Sequence, residues 1–210
     1  LVALTKVAFA DNSIHNSLAL TDAAMGTASF AFVRLLSGAG CLSLMVVLRR
    51  AGWPRVSWPQ AAALVVYALG FSFAYVALDA GFGALLLFGG VQVTMFAVAF
   101  GVREALPSQR LTGGLIAFLG LVWLLWPNGA SAPPLMPSVL MLTAAVAWGV
   151  YSLIGRGATD PLGDTAWAFV LATPVALGVA VTWPDPVSLY GLALAVIAGA
   201  VTSGLGYALW

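Results

Sequence analysis

The chain has 210 residues, 62% of them hydrophobic and only 7% charged, with a net charge of +1 and a mean hydropathy of +1.03. A soluble domain carries about 25% charged residues, so this composition excludes a water-covered globule, and the near-zero net charge excludes an electrostatic nucleic-acid binder. A single cysteine, Cys41, excludes an internal disulfide, and a single histidine, His15, leaves no metal-ligand spacing.

The class implied is an all-α membrane protein, a multi-span helical bundle. A span requires about 20 predominantly apolar residues. Breaks at charges and at Pro/Gly clusters divide the chain into eight such windows. The first covers residues 1–20 and is unusually polar in its second half; the second covers 26–48 and is closed by Arg49, Arg50 and Arg55. The third runs over 58–78 to Asp79, the fourth over 81–101 to Arg103 and Glu104, and the fifth over 109–126 to the Pro127-Asn128-Gly129 break. The sixth covers 137–155, the seventh 164–183 and the eighth 188–210.

Charge between the spans is asymmetric. Arg49, Arg50, Arg55, Arg103, Arg110 and Arg156 all follow even-numbered spans, whereas the loops after odd-numbered spans carry Asp22, Asp79 and Asp185 and no Lys or Arg. The positive-inside rule then places the N-terminus in the cytoplasm. Arg outnumbers Lys seven to one, a composition that suggests a GC-rich bacterial source and hence the bacterial inner membrane.

The spans also repeat. "LTKVAFADNSI" at 4–14 matches "LTAAVAWGVYSL" at 142–153, "FAFV" at 30–33 matches "WAFV" at 167–170, and "FAYVAL" at 73–78 matches "LGYALW" at 205–210. Spans one to three thus match spans six to eight in order, a unit of five. An odd repeat enters the membrane from the opposite side, which is the inverted-topology architecture of secondary transporters. The expected organisation is a first five-helix repeat over 1–127 and a second, with three of its five helices, over 137–210. Eight spans of an expected ten are present, and two more are expected beyond Trp210.

Further residues carry a family resemblance: "NS" at 12–13, "FVRLLSGA" at 32–39, "GALLLFGGVQVTM" at 83–95, "REALPSQRLTGGLIAFLGLVWLL" at 103–125, "AVAWGVYSLIGRG" at 145–157 and "TSGLGYALW" at 202–210. Together they resemble the EamA-like ten-helix transporters of the drug/metabolite transporter superfamily. The resemblance implies a non-enzymatic secondary transporter moving a small metabolite or drug-like solute by alternating access, without metal or cofactor. Partners implied are the lipid bilayer, a small-molecule substrate and, as an open question, a second copy of the chain; no nucleic acid is implied. The sequence departs from the family at Asp11, where a small residue is usual, and at "HNS" over 15–17, where a basic residue is common.

Arg34 is the residue that most needs explaining. It sits about ten residues, or about 15 Å, inside the outer end of the second span, where a charge costs a few kcal/mol or more unless it faces protein. Asp11 lies at similar depth in the first span, so an Arg34–Asp11 pair, or backbone carbonyls, would serve as partner. Two roles remain open for Arg34: a staple between helices, or a wall of the substrate cavity. Ser37, Gly38 and Cys41 follow it at helical spacing and form a close-packing face. Asp11, Asn12, His15 and Asn16 share one helix face, suited either to interhelical hydrogen bonds or to proton coupling. Gln92 would line a cavity or bond between helices. Tyr75, Trp148, Tyr151 and Tyr207 would either pack between helices or face an amphipathic or cationic solute. The small-residue seam Gly199, Ala200, Ser203 and Gly204 reads as helix packing. No HExxH, GxSxG or CxxC occurs, so an intramembrane enzyme is the weaker alternative, and a non-transporting membrane scaffold the stronger one.

Overall fold

A computed structural model describes residues 25–50, 56–103, 107–124 and 133–206. The first predicted span, with Asp11, Asn12, His15 and Asn16, lies outside the described residues, as does Tyr207. The chain forms α1 Thr27–Leu48, α2 Trp58–Ala74, α3 Ala80–Gly101, α4 Ser108–Leu124, α5 Leu135–Gly155, α6 Pro161–Thr182 and α7 Leu189–Ile197, which continues as a π-helix over Ala198–Leu205. These are predicted spans two to eight, and among the described residues there is no strand.

Two boundaries differ by three or more residues from the sequence reading, each for a local reason. α2 ends at Ala74 rather than 78, because residues 75–78 form the turn that reverses the chain before Asp79. α6 begins at Pro161 rather than 164. Proline's fixed φ and missing N–H suit the first position of a helix, and the Asp160 carboxylate accepts the Gly163 N–H at 3.2 Å. The last span changes from α to π at Ala198.

Four helices, α1, α3, α5 and α6, are long and apolar enough to cross a membrane. A 22-residue helix reaches about 33 Å, against a hydrocarbon core of about 30 Å. Their outward faces are apolar as well: Leu36, Leu44, Phe100, Val146 and Val181 are all exposed. Exposed apolar surface on this scale is what a lipid-facing bundle presents and a monomeric soluble protein avoids.

Small residues hold the helices together. Gly38 of α1 sits against the Phe169 ring of α6, where an added Cβ would come within 2.7 Å of Cε1. Gly70 of α2 meets the Leu140 carbonyl of α5, and Gly149 of α5 meets Thr94 of α3. Close backbone approach of this kind supplies van der Waals packing where lipid offers no hydrophobic driving force. The pairings give the directions. α1 and α6 are antiparallel, joined by Gly38–Phe169 in the middle and Arg49–Asp160 at one end. α2 and α5 are antiparallel and α3 and α5 parallel, and α1 runs parallel to α7 and the π-helix. α4 lies at the edge on α3 and is exposed almost all round.

These directions sort the charges. Arg49, Arg103 and Arg156 terminate the parallel helices α1, α3 and α5 at one end of the bundle, whereas Asp79 and Asp185 lie at the other. At the cationic end Arg49 makes a bidentate ion pair with Asp160, one arm of which is Nη1 to Oδ1 at 2.6 Å. At the acidic end Asp185 caps α1 from the loop between α6 and α7. Its carboxylate accepts the N–H of Ala28 at 2.9 Å, the N–H of Ser29 at 3.3 Å and the Ser29 hydroxyl. A carboxylate at a helix N-terminus satisfies donors that have no partner within the helix and complements its dipole.

Candidate functional site

Arg34 is 2% exposed, in the middle of α1. Its Nη2 donates to the Ala68 carbonyl at 3.2 Å and to Ser72 Oγ at 3.4 Å, both on α2 one turn apart. The guanidinium carbon also lies 5.2 Å from the Phe71 ring centroid and 6.0 Å from that of Phe30. Guanidinium is weakly hydrated and planar, so it tolerates an aromatic-lined, carbonyl-edged niche better than an ammonium would. Of the two partners expected for Arg34, the carbonyl is present on α2, and Asp11 lies outside the described residues.

From Phe71 the aromatic contacts spread across the α2–α5 interface. Phe71 meets Tyr75 edge-on at 4.8 Å and Tyr67 at 5.5 Å between centroids. Tyr67 meets Trp148 of α5 at 4.6 Å, and Trp148 stacks on Tyr151 at 5.6 Å. Four sequence candidates, Arg34, Tyr75, Trp148 and Tyr151, therefore belong to one continuous buried network. Tyr75 itself is the C-cap of α2, and Gly83 of α3 leaves room for its ring. Tyr67 and Phe71, the rings that connect the network, were not singled out from sequence. The signal was available: Tyr67, Phe71 and Tyr75 recur every fourth residue, one stripe on a helix.

Gln92 does not join this network. It is exposed and lines an apolar groove between α3 and α4, of about 520 Å³, with Val93, Phe96, Phe100, Leu115 and Phe118. Thr94 faces inward but spends its hydroxyl on the Gly90 carbonyl of its own helix, at 2.8 Å.

The other side of Arg34 is closed by the π-helix. A Cβ at Gly199 would collide with the Arg34 carbonyl and the Ser37 hydroxyl, and one at Gly204 would come within 2.9 Å of Cys41 Sγ. The small-residue faces expected on α1 and on the last span thus do meet. Their spacing differs from the sequence reading: Gly199 and Gly204 are five residues apart. The i→i+5 bonding of a π-helix stacks them on one line, opposite Ser37 and Cys41, four apart and one turn of α-helix.

Outside the spans, the Arg49–Asp160 pair shifts both groups. The hydrogen bond from Arg49 holds the Asp160 carboxyl below its usual value, and the same bond raises the Arg49 guanidinium. Among the described residues no cluster of His, Cys, Asp or Glu is arranged to hold a metal ion.

The sequence matches no established protein-family profile. It is 48% identical over 214 aligned residues to an uncharacterized protein, PA1977, of Pseudomonas aeruginosa, with all of this chain and 74% of that protein covered. With nearly half of the aligned positions identical along its whole length, the chain belongs to the same family as the Pseudomonas protein.

Proposed function

We propose that the protein is a secondary transporter of the EamA-like kind, moving a small metabolite or drug-like solute across a bacterial inner membrane by alternating access. The observation that carries this reading is an exchange symmetry in the helix packing. If five-span copies are related by a two-fold axis, span two exchanges with span seven and span three with span eight. A contact between spans two and eight then requires one between seven and three. α1 packs along α7 and the π-helix, and α6 packs along α2. The antiparallel α1–α6 contact, spans two and seven, would lie on the axis itself. The same spans are paired by the sequence matches at 30–33 with 167–170 and 73–78 with 205–210.

Other features agree with this reading. The Pseudomonas relative extends beyond the aligned region by about a quarter of its length, room for the spans that a ten-span repeat needs. The cationic end of the bundle is the cytoplasmic side under the positive-inside rule. Arg34 stands on one of the two helices that would meet at the proposed axis, where inverted-repeat transporters hold substrate.

The test is solute counterflow in proteoliposomes, using pooled radiolabelled amino acids, nucleosides and sugars. The expected result is accumulation of one pool that is lost in Arg34→Gln while helical circular dichroism is kept. If no pool moves faster than in protein-free vesicles, the transporter reading fails. The scaffold reading then takes its place, and the bonds from Arg34 to Ala68 and Ser72 already suit such a staple.

A further inference from the structure

The backbone is strained at two positions, and the two share one geometry. Among the described residues Arg50 and Arg103 are the non-glycine residues with positive φ, 53° at each. Each stands two residues past the end of its helix, α1 or α3. Each N–H closes that end on a carbonyl three residues back, Val47 or Phe100, at 3.1 Å. Glycine ordinarily fills this position, because a Cβ is crowded there. A side chain that stands in such a conformation points to a use for that side chain.

Contacts within the chain do not supply the use. Both arginines are exposed, and among the described residues neither guanidinium makes a hydrogen bond or an ion pair. Arg49 is the contrast. It is engaged by Asp160, and its backbone is right-handed, with φ −74°.

The surroundings are cationic. Arg49, Arg50, Arg103 and Arg156 lie at this end of the bundle, and the described acids there are two, Asp160 and Asp164. Asp160 is engaged by Arg49. The opposite end carries Asp79 and Asp185 and, among the described residues, no Lys or Arg. Trp58 starts α2 at the cationic end and is 68% exposed, and Trp183 and Tyr190 are comparably exposed at the other. Exposed Trp and Tyr at the ends of apolar helices mark the headgroup level of a bilayer. Arg50 and Arg103 therefore stand at the depth of lipid phosphates.

We infer that the cationic end docks on anionic phospholipid headgroups, with Arg50 and Arg103 each donating to a lipid phosphate. The guanidinium fork matches phosphate oxygens. Attraction to an anionic leaflet is worth about fivefold in affinity per arginine, or about 1 kcal/mol. That is of the same order as the backbone strain it offsets. The inference rests on the helices' crossing a bilayer and not on transport.

The test is thermal unfolding of the purified full-length protein in detergent, titrated with phosphatidylglycerol, with phosphatidylcholine and inorganic phosphate as controls. The expected result is a saturable rise in midpoint with phosphatidylglycerol alone, weakened by high salt. Arg50→Gly and Arg103→Gly should start from midpoints equal to or above that of the parent, because the strain is relieved. Each should nonetheless need about fivefold more phosphatidylglycerol for half of the rise, and the double variant about 25-fold more. Arg50→Gln keeps a side chain on the strained backbone, so it should lose the same fivefold without the gain in stability. A similar rise with phosphatidylcholine or inorganic phosphate, or an unchanged phosphatidylglycerol response in the double variant, would overturn the assignment.

Discussion

A single methyl group at Gly199 tests how the π-helix is joined to α1. A Cβ built there collides with the carbonyl oxygen of Arg34 and comes within 2.9 Å of the carbonyl carbon. Both are backbone atoms of a packed helix, so neither can rotate away, and α1 and the π-helix must separate. Overpacking of this kind costs about 1–3 kcal/mol. Against it stands the gain from replacing glycine with alanine in a helix, about 0.5–1 kcal/mol. Because backbone atoms cannot yield, the clash falls in the upper part of that range, about 2–3 kcal/mol, and the net expectation is destabilisation by about 1–2.5 kcal/mol. Gly178 of α6 supplies the opposite case, since its Cβ would meet nothing within 4 Å. Gly178→Ala keeps only the helical gain and should stabilise by about 0.5–1 kcal/mol. For a chain of this size 1 kcal/mol moves the unfolding midpoint by about 2–4 °C, so the two variants should fall on opposite sides of the parent in a thermal melt in detergent. Gly199→Ala should also speed maleimide labelling of Cys41, which faces Gly204 one turn along the same seam. A Gly199→Ala protein as stable as the parent would refute the close-packed seam, and so would a Gly178→Ala protein that loses as much.

Three further outcomes follow from the helix ends. Asp160→Ala removes an ion pair and a helix cap together and should cost about 1–2 kcal/mol. Because the carboxyl is held below its usual value in the folded state, its contribution is present above about pH 4 and is lost as pH falls through the folded value; a parent and variant differing equally at pH 3 and pH 7 would contradict this. Asp185→Ala deprives α1 of its cap and should lower stability by about 1–2 kcal/mol, with faster amide hydrogen exchange at Ala28 and Ser29; unchanged exchange there would show that the cap is dispensable. Arg50 and Arg103 both end their helices at φ 53°, a left-handed position that favours glycine. Arg50→Gly should therefore raise the unfolding midpoint by the equivalent of about 0.5–1 kcal/mol, and a lower midpoint would mean that the side chain contributes more than the backbone relief returns.

Much of the helical pattern is legible in one dimension because a segment long and apolar enough to cross a bilayer obeys a simple rule. Every backbone polar group must be satisfied internally, so each apolar window long enough to cross must be a helix. Seven of the predicted windows coincide with helices to within a few residues, four of them long and apolar enough to cross a bilayer, and the alternation of Arg and Asp between windows reappears as two oppositely charged ends. The composition of α1 likewise announced that Arg34 must be buried, since no lipid-facing position tolerates it.

Which side chains meet was not legible, because contact depends on how helices rotate and cross, and periodicity within one helix does not encode that. Gln92 and Arg34 are alike in being polar residues in apolar spans, yet packing turned Arg34 onto Ala68, Ser72 and Phe71 and left Gln92 on an outer groove. Tyr67 and Phe71 became connectors only because α5 brought Trp148 against α2. The π-helix was hidden for the same reason. The spacing of Gly199, Ala200, Ser203 and Gly204 reads as an α-helical seam, and only the tight fit against α1 selects the wider turn that aligns Gly199 with Gly204. Ser152 shows the limit most clearly. One hydroxyl among many in the sequence, it is buried and left without a hydrogen-bond partner among the described residues only because neighbouring helices close around it.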